Sequence, residues 1–362
     1  MDHLDQDRLA YYNMAEEGFN RAIDSMGGAT VKRFRIAGRS VEMRFAGPAL
    51  VRKLTAAIGH LEVEEAGDPE LTIQIFDSAS TSTPLPLMLS SLVDLLQLRW
   101  FERLGIRKEI NGFHSDLIRT IFHLGPNILS LYNTQTNSAV YWIKSVDDIP
   151  YYEEGYPLTP ILNWWLEQKG FQLVHAASVG TEEGGVIICG KGGSGKSSTA
   201  LSCINSRLKF LGDDYCALDT SNPDEPRIWS LYSTSKLKGP DDIARFPRFR
   251  DLISNLDRLG EEKALLFLNE HLPACLIESF PLKTIFVPHI TGLPDTTVSD
   301  ISSISALRAL APSTMFQLPG DGPASFKKMS GVVRSVACHH LDLGTTIEGI
   351  PDAIADFLND MK

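Results

Sequence analysis

An α/β core preceded by a smaller α+β module is the fold this sequence predicts, and three observations carry the prediction. First, Val186-Ile187-Ile188-Cys189 is a short β-branched run suited to a buried strand. It is followed by Gly190-Lys191-Gly192-Gly193-Ser194-Gly195-Lys196-Ser197, and residues 198–204 continue without Gly or Pro as a helix. Strand, glycine-rich loop and helix thus stand in the order of an α/β unit. Second, the early part of the chain carries two hairpin patterns set between helical stretches. Third, 362 residues exceed what one ordinary core organises, and turn formers concentrate in Ile149-Pro150-Tyr151-Tyr152-Glu153-Glu154-Gly155-Tyr156-Pro157. The expected division is therefore 1–150 and 151–362.

Taken in order, residues 8–26 predict a helix with Leu9, Tyr12, Phe19, Ile23 and Met26 on its apolar face. Residues 31–36 and 41–45 mix apolar with polar around Ala37-Gly38-Arg39-Ser40, a hairpin with one wet face. Its Lys32, Arg33, Arg35 and Arg44 read as a solvated strand face rather than an anion patch. Residues 48–58 suggest a helix, 71–77 a strand, 78–84 a polar loop, and 89–104 an apolar helix ending near Trp100 and Phe101. Residues 127–132 and 139–143 form a second hairpin across Asn133-Thr134-Gln135-Thr136-Asn137-Ser138. In the second part, Pro160 opens a helix that Gly170 ends, and 171–178 read as one strand carrying His175. A turn at 179–185 leads into the strand before the loop. The tail reads as a closing helix from near Pro351.

Composition narrows the function. A net charge of −11 argues against broad binding to a nucleic-acid backbone. No apolar run reaches the length of a membrane span. Five scattered cysteines without C-x-x-C spacing fit a reduced cytoplasm, and the Cys338-His339-His340 cluster reads as ordinary packing rather than a metal site. Homo-oligomerisation is left open.

Residues 190–197 fit G-x-x-x-x-G-K-[ST], the phosphate-binding loop. Gly190, Gly192, Gly193 and Gly195, with Ser194, let backbone N–H groups approach phosphate oxygens without a Cβ in the way. Lys196 supplies a point charge to the β- and γ-phosphates of ATP, Ser197 a hydroxyl to Mg²⁺, and Ser198 opens the helix beside them. Asp213 and Asp214 follow 17 and 18 residues beyond Lys196, at the end of the apolar strand around 208–212. That strand is expected to lie beside the phosphate-loop strand and deliver one carboxylate to Mg²⁺ and the other to an attacking hydroxyl as base. The competing reading is an acidic turn at Gly212-Asp213-Asp214.

A His on a strand, a turn, the loop and an Asp pair at this separation resemble the core of the HPr kinase/phosphorylase family, whose P-loop fold is related to phosphoenolpyruvate carboxykinase. The similarity spans roughly residues 175–214. It implies Asp214 as base towards a serine hydroxyl, Asp213 on Mg²⁺, and His175 supporting the base. Residues 286–294 hold no Arg where the HPr enzymes carry one tied to phosphorylase activity. Residues 233–240 hold no acid where they carry a metal-binding Glu. The first 150 residues also look unlike the usual HPr kinase N-terminal domain. The chain therefore looks more like the related peptide-tailoring serine kinases. The implied activity is ATP-dependent phosphorylation of a hydroxyl on a protein, peptide or small molecule; the alternative is a nucleotide-dependent switch or ATPase without an acceptor. Lys236, Lys238 and the arginines 245, 248 and 250 are either contacts to ATP or acidic substrate, or solvated surface.

Overall fold

A computed structural model describes residues 3–65, 67–85, 104–222, 224–320 and 322–361. The helix expected at 89–104 lies, apart from Leu104, outside the described residues. The protein is mixed α/β and forms two compact units, Met1–Ala56 with Glu62–Trp165, and Ala57–Leu61 with Leu166–Lys362. Among the described residues no helix is long and apolar enough to cross a membrane.

The first unit builds a six-stranded sheet from its described residues, in the order β1-β2-β3-β6-β5-β4. The strands are β1 (Ala29–Ile36), β2 (Arg39–Ala46), β3 (Leu71–Asp77), β4 (Ile118–His123), β5 (Ile128–Asn133) and β6 (Ser138–Ile143). Register Ile36↔Arg39 leaves Ala37 and Gly38 as a two-residue turn, with φ of 50° and 76°. Positive φ at both positions is what a tight hairpin of right-twisted strands demands. The helix His3–Met26 buries Tyr11, Tyr12, Ala15, Gly18, Phe19 and Ala22. That spacing is one helical face, and it packs on Phe76, Leu129, Leu131, Val140 and Trp142 of the sheet. Arg33 and Arg35 of β1 are exposed, Arg33 paired with Glu42, while Lys32 alternates with buried Phe34 and Ile36, is half-buried, and pairs with Glu62. Residues 48–58 divide into a short helix, Val51–Thr55, and a 3-10 turn, Ala56–Leu61. The expected polar loop at 78–84 opens with a helical turn, Ser78–Thr81, capped by the Asp77 carboxylate.

Glu153 is buried in this unit and accepts a hydrogen bond from Leu158 N–H at 3.1 Å. Burial pushes its pKa up to about 7, from an ordinary 4.5. A carboxyl raised on folding contributes fully below its unfolded pKa, and the contribution drains away as pH rises through the folded one. The loss amounts to about 3 kcal/mol. Glu153→Gln should abolish it: in urea unfolding the parent should gain roughly 2–3 kcal/mol on the variant between pH 8 and pH 5. An equal difference at both pH values would assign the effect elsewhere.

The second unit builds a larger mixed sheet. Its strands are β7 (Phe171–His175), β8 (Ala177–Thr181), β9 (Gly184–Ile188), β10 (Lys209–Gly212), β11 (Tyr215–Asp219), β12 (Arg227–Ser230), β15 (Ser279–Ile290), β16 (Thr297–Asp300) and β17 (Ala337–Leu343). β13 (Thr234–Leu237) and β14 (Ala264–Phe267) form a separate antiparallel pair. The path runs β10-β8-β9-β15-β12-β11-β7, with β17 parallel to β15 and β16 antiparallel to β17.

β9 alternates between two cores. Val186 and Ile188 face the helix Lys196–Ser202 and the closing helix Gly349–Asp360, through Ala200, Leu201, Ile354 and Leu358. Ile187 and Cys189 face the helix pair Ser303–Gln317 and Gly322–Ser335, through Ala306, Leu310, Met329 and Val332. Burial on both faces explains its continuous apolar run.

Two strand expectations change. The run at 171–178 is two strands, broken at Ala176, whose N–H bonds to Asp214 O at 3.0 Å. Before the break the chain pairs with β11, and after it with β9 and β10. And β10 does not lie beside the phosphate-loop strand: β8 stands between β10 and β9. The β8–β9 hairpin, register Thr181↔Gly184, fills that place because it closes locally. All five cysteines are free and buried. Cys338, His339 and His340 lie on β17, and no group of three or more metal-ligating residues is assembled among the described residues.

Candidate functional site

The glycine-rich loop leaves the C-terminal end of β9 and turns into the helix Lys196–Ser202. Gly193 and Gly195 have φ of 79° and 102°, where an L side chain is strained. A Cβ on Gly195 would also come within 2.7 Å of Leu343 Cδ1. Gly192 and Gly193 face open space, with nothing within 4 Å of a Cβ placed there. Lys196 is 6% exposed, and its Nζ donates to Gly190 O at 2.8 Å and Lys191 O at 3.3 Å. Burial lowers its pKa, opposed by the nearby charges of Asp214 and Asp213. The hydroxyls of Ser194 and Thr199 are buried without hydrogen-bond partners among the described residues.

The Asp pair sits in a gap in an antiparallel ladder. Residues 209–219 run against 171–181, pairing as β10 with β8 and as β11 with β7. Ala176 breaks one strand and Asp213-Asp214 the other. Register Tyr215↔His175 then brings Asp214 alongside His175. Asp213 and Asp214 form the bend between β10 and β11, and their carboxylates have different surroundings. Asp213 is 1% exposed and turns inward. Its Oδ2 accepts from Ser235 Oγ at 2.6 Å and from Lys236 N–H at 3.3 Å. Its Oδ1 has no hydrogen-bond partner among the described residues. Burial, and then the charge of Asp214, raise its pKa.

Asp214 is less deeply buried, its side chain 15% exposed. Its Oδ1 lies 3.5 Å from His175 Nε2, and its Oδ2 is paired with the Lys236 ammonium. Burial acts to raise its pKa, but the His175 hydrogen bond and the Lys236 charge outweigh it and hold the carboxyl far below the usual range. The His175 ring packs at a tilt against Tyr215, 5.6 Å between ring centres, and Tyr215 Oη donates to Gln317 Oε1 at 3.1 Å. The His175 N–H bonds to Thr314 Oγ1 at 3.0 Å. Its Nδ1 is buried and has no partner among the described residues.

Gly193, Gly195, Lys196, Ser197, Ser198 and Asp214 line one cavity of about 460 Å³. Gly190, Gly192, Ser194, Asp213 and His175 stand outside its lining; His175 and Asp213 reach it through Asp214 and the Ser235-Lys236 segment. The sequence reading left other walls unassigned. Lys263 joins Lys236, Lys238 and Arg245 to make the rim basic, against Asp214 and Asp242. Ile290, Leu343, Ile347 and Ile350 form an apolar flank. Ser235, which fixes Asp213, stands 22 residues along the chain, and nothing in its local sequence marks it.

This donor set suits a phosphate chain carrying a hard divalent cation. Lys196, Lys236, Lys238 and Lys263 line the cavity beside the loop, open space lies over Gly192 and Gly193, and the buried Asp213 carboxylate lies within reach of the Ser197 hydroxyl. No family model matches the chain, and no curated protein matches it. Among solved structures it is similar to the Hpr(Ser) kinase/phosphatase from Coxiella burnetii, at 11% identity over 52% of this chain and 98% of that one, with a TM-score of 0.30.

Proposed function

We propose that this chain is an ATP- and Mg²⁺-dependent phosphotransferase that moves the γ-phosphoryl group to a hydroxyl, with a serine of a protein or peptide as the acceptor class. The observation that carries the reading is the presence of Lys196 and an ionised Asp214 in the lining of one cavity, with Asp213 tied down directly behind. The backbone of residues 190–195, with Ser198, holds the phosphates, and Lys196 leaves its loop carbonyls to meet them. Ser197 and Asp213 would hold Mg²⁺, which when bound supplies neutralisation of phosphate charge. Asp214 accepts the proton of the acceptor hydroxyl. His175, itself anchored by Thr314 and Tyr215, keeps that carboxylate in place.

Incubation with γ-labelled ATP and Mg²⁺, with and without serine-containing proteins and peptides, tests this. Label bound covalently to an acceptor is expected. Release of inorganic phosphate alone, unchanged by any acceptor, would instead favour a nucleotide-driven switch.

A further inference from the structure

We propose that Lys236 is a second phosphate-binding cation, one that distinguishes a nucleoside triphosphate from a diphosphate by transferring its ammonium from Asp214 to the terminal phosphoryl group. The inference rests on the phosphotransferase reading above and assigns a specificity-determining residue within that site.

The backbone of Lys236 is fixed. It pairs with Leu265 across β13–β14, and its N–H donates to Asp213 Oδ2, beside the Ser235 hydroxyl. Only the flexible side chain is left to move. That side chain is 12% exposed, lines the same cavity as Lys196, and rests on Asp214. These two ammonium groups are therefore parked on protein oxygens, Lys196 on two loop carbonyls and Lys236 on a carboxylate. Phosphate oxygens compete well for such donors, since charge-assisted bonds to them are short and strong.

The position of Lys236 selects which phosphate it meets. Asp214 is where the acceptor hydroxyl and the transferring group must come together, so an ammonium resting on Asp214 stands beside the terminal phosphoryl group and away from the α-phosphate. Its departure also exposes the carboxylate. While Lys236 is bound, Asp214 Oδ2 is occupied; once the ammonium moves, that oxygen can receive a hydroxyl proton. Entry of the terminal phosphoryl group and release of the base become one event.

Isothermal titration of the full chain with Mg-ATP and with Mg-ADP tests the assignment without requiring turnover. Lys236→Met should weaken Mg-ATP binding about 10- to 100-fold, the worth of one charge-assisted hydrogen bond, and change Mg-ADP binding by no more than about 3-fold. Lys236→Gln keeps a donor towards Asp214 and guards against a misfolded Met variant; it should show the same selective loss. Equal weakening of both nucleotides, or no weakening of either, overturns the assignment while leaving the phosphotransferase reading intact. A parent protein that binds neither nucleotide overturns both together.

Discussion

Asp214→Asn is expected to slow phosphoryl transfer by about 10²- to 10⁴-fold while leaving Mg-ATP binding in place, the usual worth of a positioned general base. Asn keeps the size of the side chain and can still accept from His175, but it cannot take a proton at neutral pH. The neighbouring carboxylate should fail differently. Asp213→Asn should weaken the response to Mg²⁺, and higher Mg²⁺ should recover part of the rate. His175→Ala should cost less than Asp214→Asn, because it removes support from the base and leaves the base itself. A Mg²⁺ titration of transfer rate for each variant, beside nucleotide titration, separates these outcomes. Near-parental transfer by Asp214→Asn would show that another group takes the proton.

Lys196→Ala is expected to remove most of the stabilisation that Mg-ATP gives the parent. At a ligand excess of about 100 times Kd, linkage stabilises by roughly 2.7 kcal/mol. In a unit of about 200 residues this raises Tm by about 5–10 °C. The buried ammonium lies against the mouth of the loop, and its loss leaves the phosphates without their nearest point charge. Thermal scans with and without Mg-ATP read the difference. A parental melting curve unmoved by saturating Mg-ATP would remove the phosphate-loop reading altogether.

The parts of the molecule legible in the sequence are those closed by short-range physics. The β1–β2 turn was visible as the break Ala37-Gly38-Arg39-Ser40, although pairing continues through Arg39 and Ser40 and leaves only Ala37 and Gly38 in the turn. The β9 strand, the loop and its helix were visible because apolar run, glycines and Lys-Ser are contiguous. The helix His3–Met26 was visible by its face, although Tyr11, Ala15 and Ala22 complete that face better than Met26 does. What could not be read was long-range. No local pattern says that β8 separates β10 from β9, since several strands of similar composition could occupy that place. Lys236 read as a surface lysine or an ATP contact; its pairing with Asp214 depends on β13 folding back over 22 residues. The break at Ala176 was hidden for the same reason: the segment is free of turn formers and buried throughout, and only the change of partner strand divides it.

The gap in the ladder between residues 171–181 and 209–219 also sets how this chain can change length. The ladder already carries one irregularity there, since Phe210 pairs with Val179 and Gly212 with Ser178, which leaves Leu211 as an extra residue. A second residue inserted between Phe210 and Asp213 would shift Asp213 away from Ser235 and Asp214 away from His175 and Lys236, removing the partners that hold both carboxylates without altering either side chain. The same insertion in the turn between β11 and β12 would shift neither, because that turn lies beyond the paired registers. Relatives of this chain are thus expected to vary in length at the β11–β12 turn and to hold a constant count from β10 through Asp214.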